Sequence, residues 1–378
     1  MRPRYRALLV NQIIIDYNAV IVDKESQIMS DSTRAIKSGL KQALVENAAV
    51  MVLSVLALLT LLWGMVYAPK PVTWDSLKVI HDSSVRQHLY LLIIFYLCIY
   101  GVSVLIAKNR LVAYAKHVIC YQHIFASIIL VICYTLLFLS FCFFKNSIPY
   151  INFYSWDNVL IKLDWLLLFK HHPWVVVKSL VPNFEMIEVY NYIYLSWIPI
   201  NSLILFWQQI TINRALRIQY LTSLMSTWLV LGSWCAVLFS SVGPCFYSFF
   251  YDGSPDIIRV FTAHVEPIDL GLLTSIVKKG FLSNYFNESF TIGYGISAFP
   301  SLHVATTVIN VLAITKRFKK LAIFGWAYVF LIMLSCIYIG FHYLSDCIFG
   351  MLGAILIWKL TAKLYASSWY NNWLRLCQ

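Results

Sequence analysis

Charged residues are scarce in this chain. Asp, Glu, Lys and Arg make up 12% of its 378 residues, where a soluble domain carries roughly 25%. That scarcity excludes an ordinary soluble domain. Internal repeats and low-complexity tracts are absent as well, which removes solenoids and disordered arrays from consideration. The nine cysteines show no CxxC spacing. Most lie inside apolar runs and read as small packing residues, so they do not reveal the redox compartment.

What remains is hydrocarbon. Hydrophobic residues make up 60% of the chain, and its mean hydropathy is +0.72. Backbone groups in lipid must pair within their own segment, and the apolar runs are too long for barrel strands. The fold class is therefore all-α, a polytopic membrane helical bundle. About eight transmembrane helices are expected, at 47–68, 88–107, 119–144, 187–209, 222–242, 299–315, 321–340 and 343–364. Each is near the length of about 20 residues that a helix needs to cross the bilayer. These positions divide the chain into a tail (1–46), two spans (47–118), six spans (119–364) and a second tail (365–378). No cleavable signal peptide is expected. Residues 1–46 are polar and basic, and the first apolar run is long enough to remain as a span.

Charge gives an orientation. The two tails, loops 2–3, 4–5 and 6–7 and the cytoplasmic end of the last span (Lys359 and Lys363) hold 19 of the 29 Lys and Arg residues, and the other side holds ten. Asp and Glu split five against twelve. The positive-inside rule puts both tails in the cytoplasm. The net charge of +12 also attracts anionic lipid, which is compatible because the excess is almost wholly cytoplasmic. Arg214, Arg217 and the cluster Lys316, Arg317, Lys319 and Lys320 read as topology and headgroup anchors. On the other face, residues 150–180 fit either a helix lying among the headgroups or a connecting loop with belt tryptophans. Asn287-Glu288-Ser289 fits a glycosylation acceptor, meaningful only in a eukaryotic secretory compartment.

Two polar islands interrupt the apolar C-terminal part: Ala298-Phe-Pro-Ser-Leu-His303 and His342-Tyr-Leu-Ser-Asp346. Polar groups in hydrocarbon are costly and commonly functional. Two crossings separate the islands, so both fall on the non-cytoplasmic face. That face is periplasmic in a bacterial inner membrane and lumenal in a eukaryotic endomembrane. His342 and Asp346 are spaced i, i+4 and share one helix face. An aspartate there can accept the proton of one ring nitrogen, leaving the other with a free lone pair. His303 can give a proton to a leaving oxygen or take one from an incoming acceptor. Ser301 stands where a helix should start, and free N–H groups there bind anions. Imidazoles at a helix N-terminus point to a phosphate ester. Packed structural histidines, or a metal site built from the three residues, remain open at this level. His171-His172-Pro173 reads as a surface loop or as a lining of the cleft.

Ser297–His303 and Ser335–Asp346 resemble the second and third signature motifs of the type 2 phosphatidic acid phosphatase (PAP2) superfamily. Leu302 replaces the glycine usual before the first histidine, and such FPSLH sequences resemble the branch containing inositol phosphorylceramide synthase, an inositolphosphotransferase. The resemblance implies a six-helix catalytic core at 119–364. It makes His342 the nucleophile of a phosphohistidine, Asp346 its orienter and His303 the general acid. It implies no metal or other cofactor, membrane lipids as substrates and no nucleic-acid partner; the oligomeric state stays open. There are departures: Cys336 stands where the phosphatase pattern has arginine, and the first signature (Lys, then Arg-Pro seven residues later) is absent. The branch also lacks that arginine, which favours phospho-group transfer to an alcohol over hydrolysis. Ser301, Lys278 and Lys279 are the expected substrate-binding residues, with Arg259 a further cation in the same loop. Rival readings are a lipid phosphate phosphatase and an inactive scaffold or transporter. A transporter would spread charge through several spans at mid-depth, whereas here it gathers at one end.

Overall fold

The computed structural model describes residues 33–68, 121–180, 186–211, 213–253, 271–287, 295–368 and 370. Among these there is no strand, and the protein is an all-α membrane helical bundle. Its main helices are α1 (Ala48–Tyr67), α2 (Tyr121–Ile151), α3 (Asp157–Leu167), α4 (Pro173–Leu180) and α5 (Ile187–Ile210). They continue as α6 (Arg214–Leu238), α7 (Gly271–Phe286), α8 (Leu302–Arg317), α9 (Ala322–Ile339) and α10 (Leu344–Ala366).

Among the described residues, five helices are long and apolar enough to cross a membrane: α1, α2, α6, α9 and α10. They correspond to the first, third, fifth, seventh and eighth expected spans. The second, 88–107, lies outside the described residues. At the fourth and sixth positions stand α5 and α8, which fall short of that standard. The reason is clearest in α8, which has only 16 residues and buries Thr306, Thr307 and Asn310 along with its apolar side chains. It sits at the centre of the bundle and owes little surface to lipid.

The outer helices show the opposite pattern. The buried face of α1 is Val50, Ser54, Ala57, Thr60 and Gly64, while Val52, Val55, Leu59, Leu62 and Val66 are exposed. Small residues let α1 approach α2 closely, and Ser54 Oγ donates to the Cys133 carbonyl at 3.0 Å. This is membrane packing: small or polar contacts inside, large aliphatics toward lipid. The same division holds in α10, with Gly350, Ala354 and Thr361 buried and Leu352, Leu356 and Leu360 exposed.

Polar side chains tie α8 to its neighbours. Tyr220 Oη donates to Asn310 Oδ1 at 2.8 Å, and Asn310 Nδ2 donates to Asn201 Oδ1 at 2.9 Å. Trp197 Nε1 donates to Thr306 Oγ1 at 2.8 Å. Within α6, residues Thr227–Cys235 form a π-helix, a widened turn often found at functional sites. One expectation changes: Arg217 is buried and ion-paired with Glu46, and its Nη1 lies 2.9 Å from His123 Nδ1. It joins α6 to the segment before α1. Its neighbour Arg214 pairs with the same Glu46 at 3.0 Å.

Candidate active site

The first island is held by backbone contacts before its side chains act. Ala298 N–H donates to the Ser241 carbonyl at 2.9 Å, and Phe299 N–H to Ser241 Oγ at 3.1 Å. Ser301 N–H donates to the Asp346 carbonyl at 3.0 Å, which joins the two islands directly. Ser301 then starts α8 as its N-cap, its hydroxyl accepting from Val304 N–H at 3.5 Å. Ser301 is fully buried, while its neighbours Pro300, Leu302 and His303 line the adjoining cavity.

The second island is a turn. Gly340, in a left-handed conformation, ends α9, and Tyr343 caps α10. His342 lies between them, with Nδ1 2.8 Å from the Ala298 carbonyl oxygen. A carbonyl can only accept, so Nδ1 carries the proton and Nε2 keeps its lone pair. Asp346 Oδ2 is the second neighbour of Nδ1, at 3.5 Å, and accepts the Tyr343 N–H at 2.9 Å. Its Oδ1 is buried with no hydrogen-bond partner among the described residues. Burial holds the His342 imidazole below its ordinary value, and the positive charge of Lys145 works in the same direction.

His303 faces His342, with ring centroids 5.6 Å apart. It is wedged between Tyr194, stacked at 4.3 Å, and Trp197 at 4.5 Å. Tyr194 Oη lies 3.5 Å from His303 Nδ1. Both histidines line a cavity of about 340 Å³ between α2, α5, α6 and α8. Its walls are largely apolar, including Phe138, Trp197, Ile198 and Trp228, and Lys145 joins the histidines as its charged lining residue. A smaller pocket of about 40 Å³ also borders His342, and Asp164, His172, Trp174 and Leu344 line it. His172 thus lines a pocket beside His342, in line with the cleft reading of His171-His172-Pro173.

Two aspartates hold this arrangement together, and neither role was legible in the sequence. Residues 150–180 contain α3 and α4, and α3 turns Asp157 and Asp164 inward. Asp164 accepts the N–H groups of Leu344 at 2.8 Å and Ser345 at 2.7 Å, the first residues of α10. A carboxylate at a helix N-terminus satisfies free donors and complements the dipole. Burial pushes Asp164 up to about 7, against the opposing pull of those hydrogen bonds. Asp157 accepts Val242 N–H, Gly243 N–H, Tyr251 Oη and Tyr343 Oη, at 2.8–3.1 Å. Burial raises it too, and the same bonds oppose the rise. Gly243, between these donors, has φ +88°, and a Cβ there would lie 2.6 Å from the Phe341 carbonyl oxygen. Only glycine fits this wedge between the islands.

Other expected residues are more peripheral. Lys278 and Lys279 lie on α7, outside the lining of the histidine cavity; Lys278 Nζ sits 5.6 Å from the Phe249 ring. Cys336 is buried, its sulfur 4.0 Å from Ser301 Oγ. Arg259, Glu288 and Ser289 lie outside the described residues. Among the described residues no three His, Cys, Asp or Glu side chains converge as metal ligands would.

A family model described as the PAP2 superfamily matches residues 158–360. No curated protein and no solved structure matches the chain.

Proposed function

Because the chain belongs to the PAP2 superfamily, we propose that it moves a phosphoryl or phospho-headgroup from a membrane lipid to an alcohol acceptor through a phosphohistidine at His342. Membership carries the coarser statement, a lipid phosphatase or phosphotransferase type of activity. The observation behind the finer reading is the 2.8 Å contact of His342 Nδ1 with the Ala298 carbonyl: an acceptor there assigns the proton to Nδ1 and leaves Nε2 as a neutral nucleophile, on a ring whose centroid is 5.6 Å from that of His303.

In the first step the Nε2 lone pair forms a bond to phosphorus, and the bond from phosphorus to the leaving oxygen breaks. His303, as imidazolium, gives its proton to that oxygen. Phosphorylated His342 is more cationic, so its Nδ1–H bond to Ala298 strengthens and Asp346, 3.5 Å away, stabilises the ring. In the second step neutral His303 takes the proton of the acceptor hydroxyl. The acceptor oxygen bonds to phosphorus, the N–P bond breaks, and both histidines return to their starting states. The apolar cavity walls suit a lipid tail and limit water, which favours an alcohol acceptor.

The likeness to the inositol phosphorylceramide synthase branch rests on Leu302 and on Cys336 in place of arginine. Ser301 sets the start of α8 beside the site, and Lys278 and Lys279 draw anionic headgroups toward the cavity mouth. The charge pattern supports a non-cytoplasmic site, with both tails in the cytoplasm.

The test uses purified protein in lipid with labelled phosphatidate, phosphatidylinositol and polyprenyl phosphate, each with and without acceptor lipids. A new ester is expected, made by the wild-type chain and lost in His342→Ala. Free phosphate as the sole product would establish hydrolysis instead. Turnover that survives the loss of His342 would rule out the covalent route.

A further inference from the structure

We propose that Lys145 binds the phosphate group of the lipid substrate, an inference that rests on the reaction proposed above and names the charge partner that reaction needs. Transferring a phosphoryl group requires positive charge on its non-bridging oxygens. The usual position for it is occupied by Cys336, a neutral residue that does not line the histidine cavity. Among the described residues, Lys145 is the one Lys or Arg that lines the cavity together with His303 and His342.

Its setting argues for a ligand. It stands near the end of α2, after a run of about twenty residues with no other charge. Placing a cation there is costly unless something balances it. No carboxylate among the described residues pairs with it; the contact it makes is with the Phe281 ring, 5.8 Å from Nζ. A lysine that merely snorkelled to the interface would turn its amine away from the bundle, whereas this one lines the cavity that holds both histidines.

The backbone around Lys145 is also fixed against the first island. Gly295 lies so close that an added Cβ would be 2.7 Å from the Lys145 carbonyl carbon and 2.8 Å from Asn146 N. Asn284 Nδ2 donates to Asn146 Oδ1 at 2.8 Å, which ties α7 to the same turn. Gly295 leads directly into Ser297–His303, so the cation is held in register with the histidines. Lys145 precedes the matched stretch 158–360, so this charge comes from outside the family's matched segment.

The experiment measures tungstate binding and lipid-phosphate turnover by the full chain in nanodiscs, with Lys145→Met, Lys145→Arg and, as control, the exposed Lys162→Met. Lys145→Met is expected to weaken tungstate at least about tenfold and raise KM more than it lowers kcat. Lys145→Arg keeps measurable affinity, and Lys162→Met behaves as wild type. Tungstate affinity and KM unchanged in Lys145→Met would overturn the assignment while leaving the proposed reaction intact. Tungstate binding that depends on Lys145 in a chain that turns over no lipid phosphate would uphold it and sink the reaction. Should Lys145→Met fail to fold, amine acylation of the wild-type chain decides. Tungstate protects Lys145 from labelling, as read by mass spectrometry, or the proposal fails.

Discussion

Asp164 reaches across 181 residues of sequence to accept the backbone N–H of Ser345 at 2.7 Å. One short helix lying over the bundle thereby holds the start of α10, and with it the turn that carries His342. Asp164 is buried and its carboxyl titrates at about 7, above the ordinary 3.8. The folded chain therefore holds this proton more tightly than the unfolded chain does. The contribution is fully present below about 3.8 and is lost as pH rises through about 7. Thermal unfolding in detergent should show stability falling across that window. Asp164→Asn should flatten the fall; an unchanged slope would mean another group is responsible.

Burial holds His342 below 6.5, so it stays neutral and nucleophilic into mildly acidic solution. The acid limb of kcat/KM that belongs to this group should lie below pH 6.5. Trapping of labelled phosphate on the protein should follow the same limb and disappear in His342→Asn.

Asp157 serves two backbone N–H groups and two tyrosine hydroxyls. Asp157→Ala leaves these buried donors without an acceptor, at a cost of roughly 3–5 kcal/mol. Monodisperse yield should collapse. Asp157→Asn, which retains an acceptor oxygen, should recover part of it.

Gly243→Ala meets both a positive φ and the Phe341 carbonyl. Strain of roughly 1–3 kcal/mol is expected, released by moving the turn next to His342. Activity should fall more than thermal stability does. A variant with wild-type kcat would show that this turn tolerates displacement.

Much of the architecture was legible in the chain. Span positions follow from run length and hydropathy, which depend on local composition alone, so five of the expected spans reappear, with ends displaced by up to eight residues. His303, His342 and Asp346 stood out because polar residues are rare inside apolar runs, and the two-crossing separation already put them at one end of the bundle. The spans at α5 and α8 read less well, because a helix enclosed by other helices can carry polar side chains that bond to its neighbours. Asn310 and Thr306 do so.

The charged residues outside the two islands were harder to read. Lys145, Asp157, Asp164 and Arg217 carry the same local signature as ordinary loop and boundary charges. Their meaning depends on which way each side chain points once distant helices pack, and no local pattern encodes that direction. Sequence alone therefore determined that this is a helical membrane protein with an imidazole–carboxylate island pair, because hydrophobicity and spacing act within a segment. Only the tertiary structure decided that the Ala298 carbonyl is the nearest partner of His342 Nδ1, that α3 clamps α10, and that Lys145 shares the histidines' cavity. Those contacts join residues far apart in the chain, and packing brings them together.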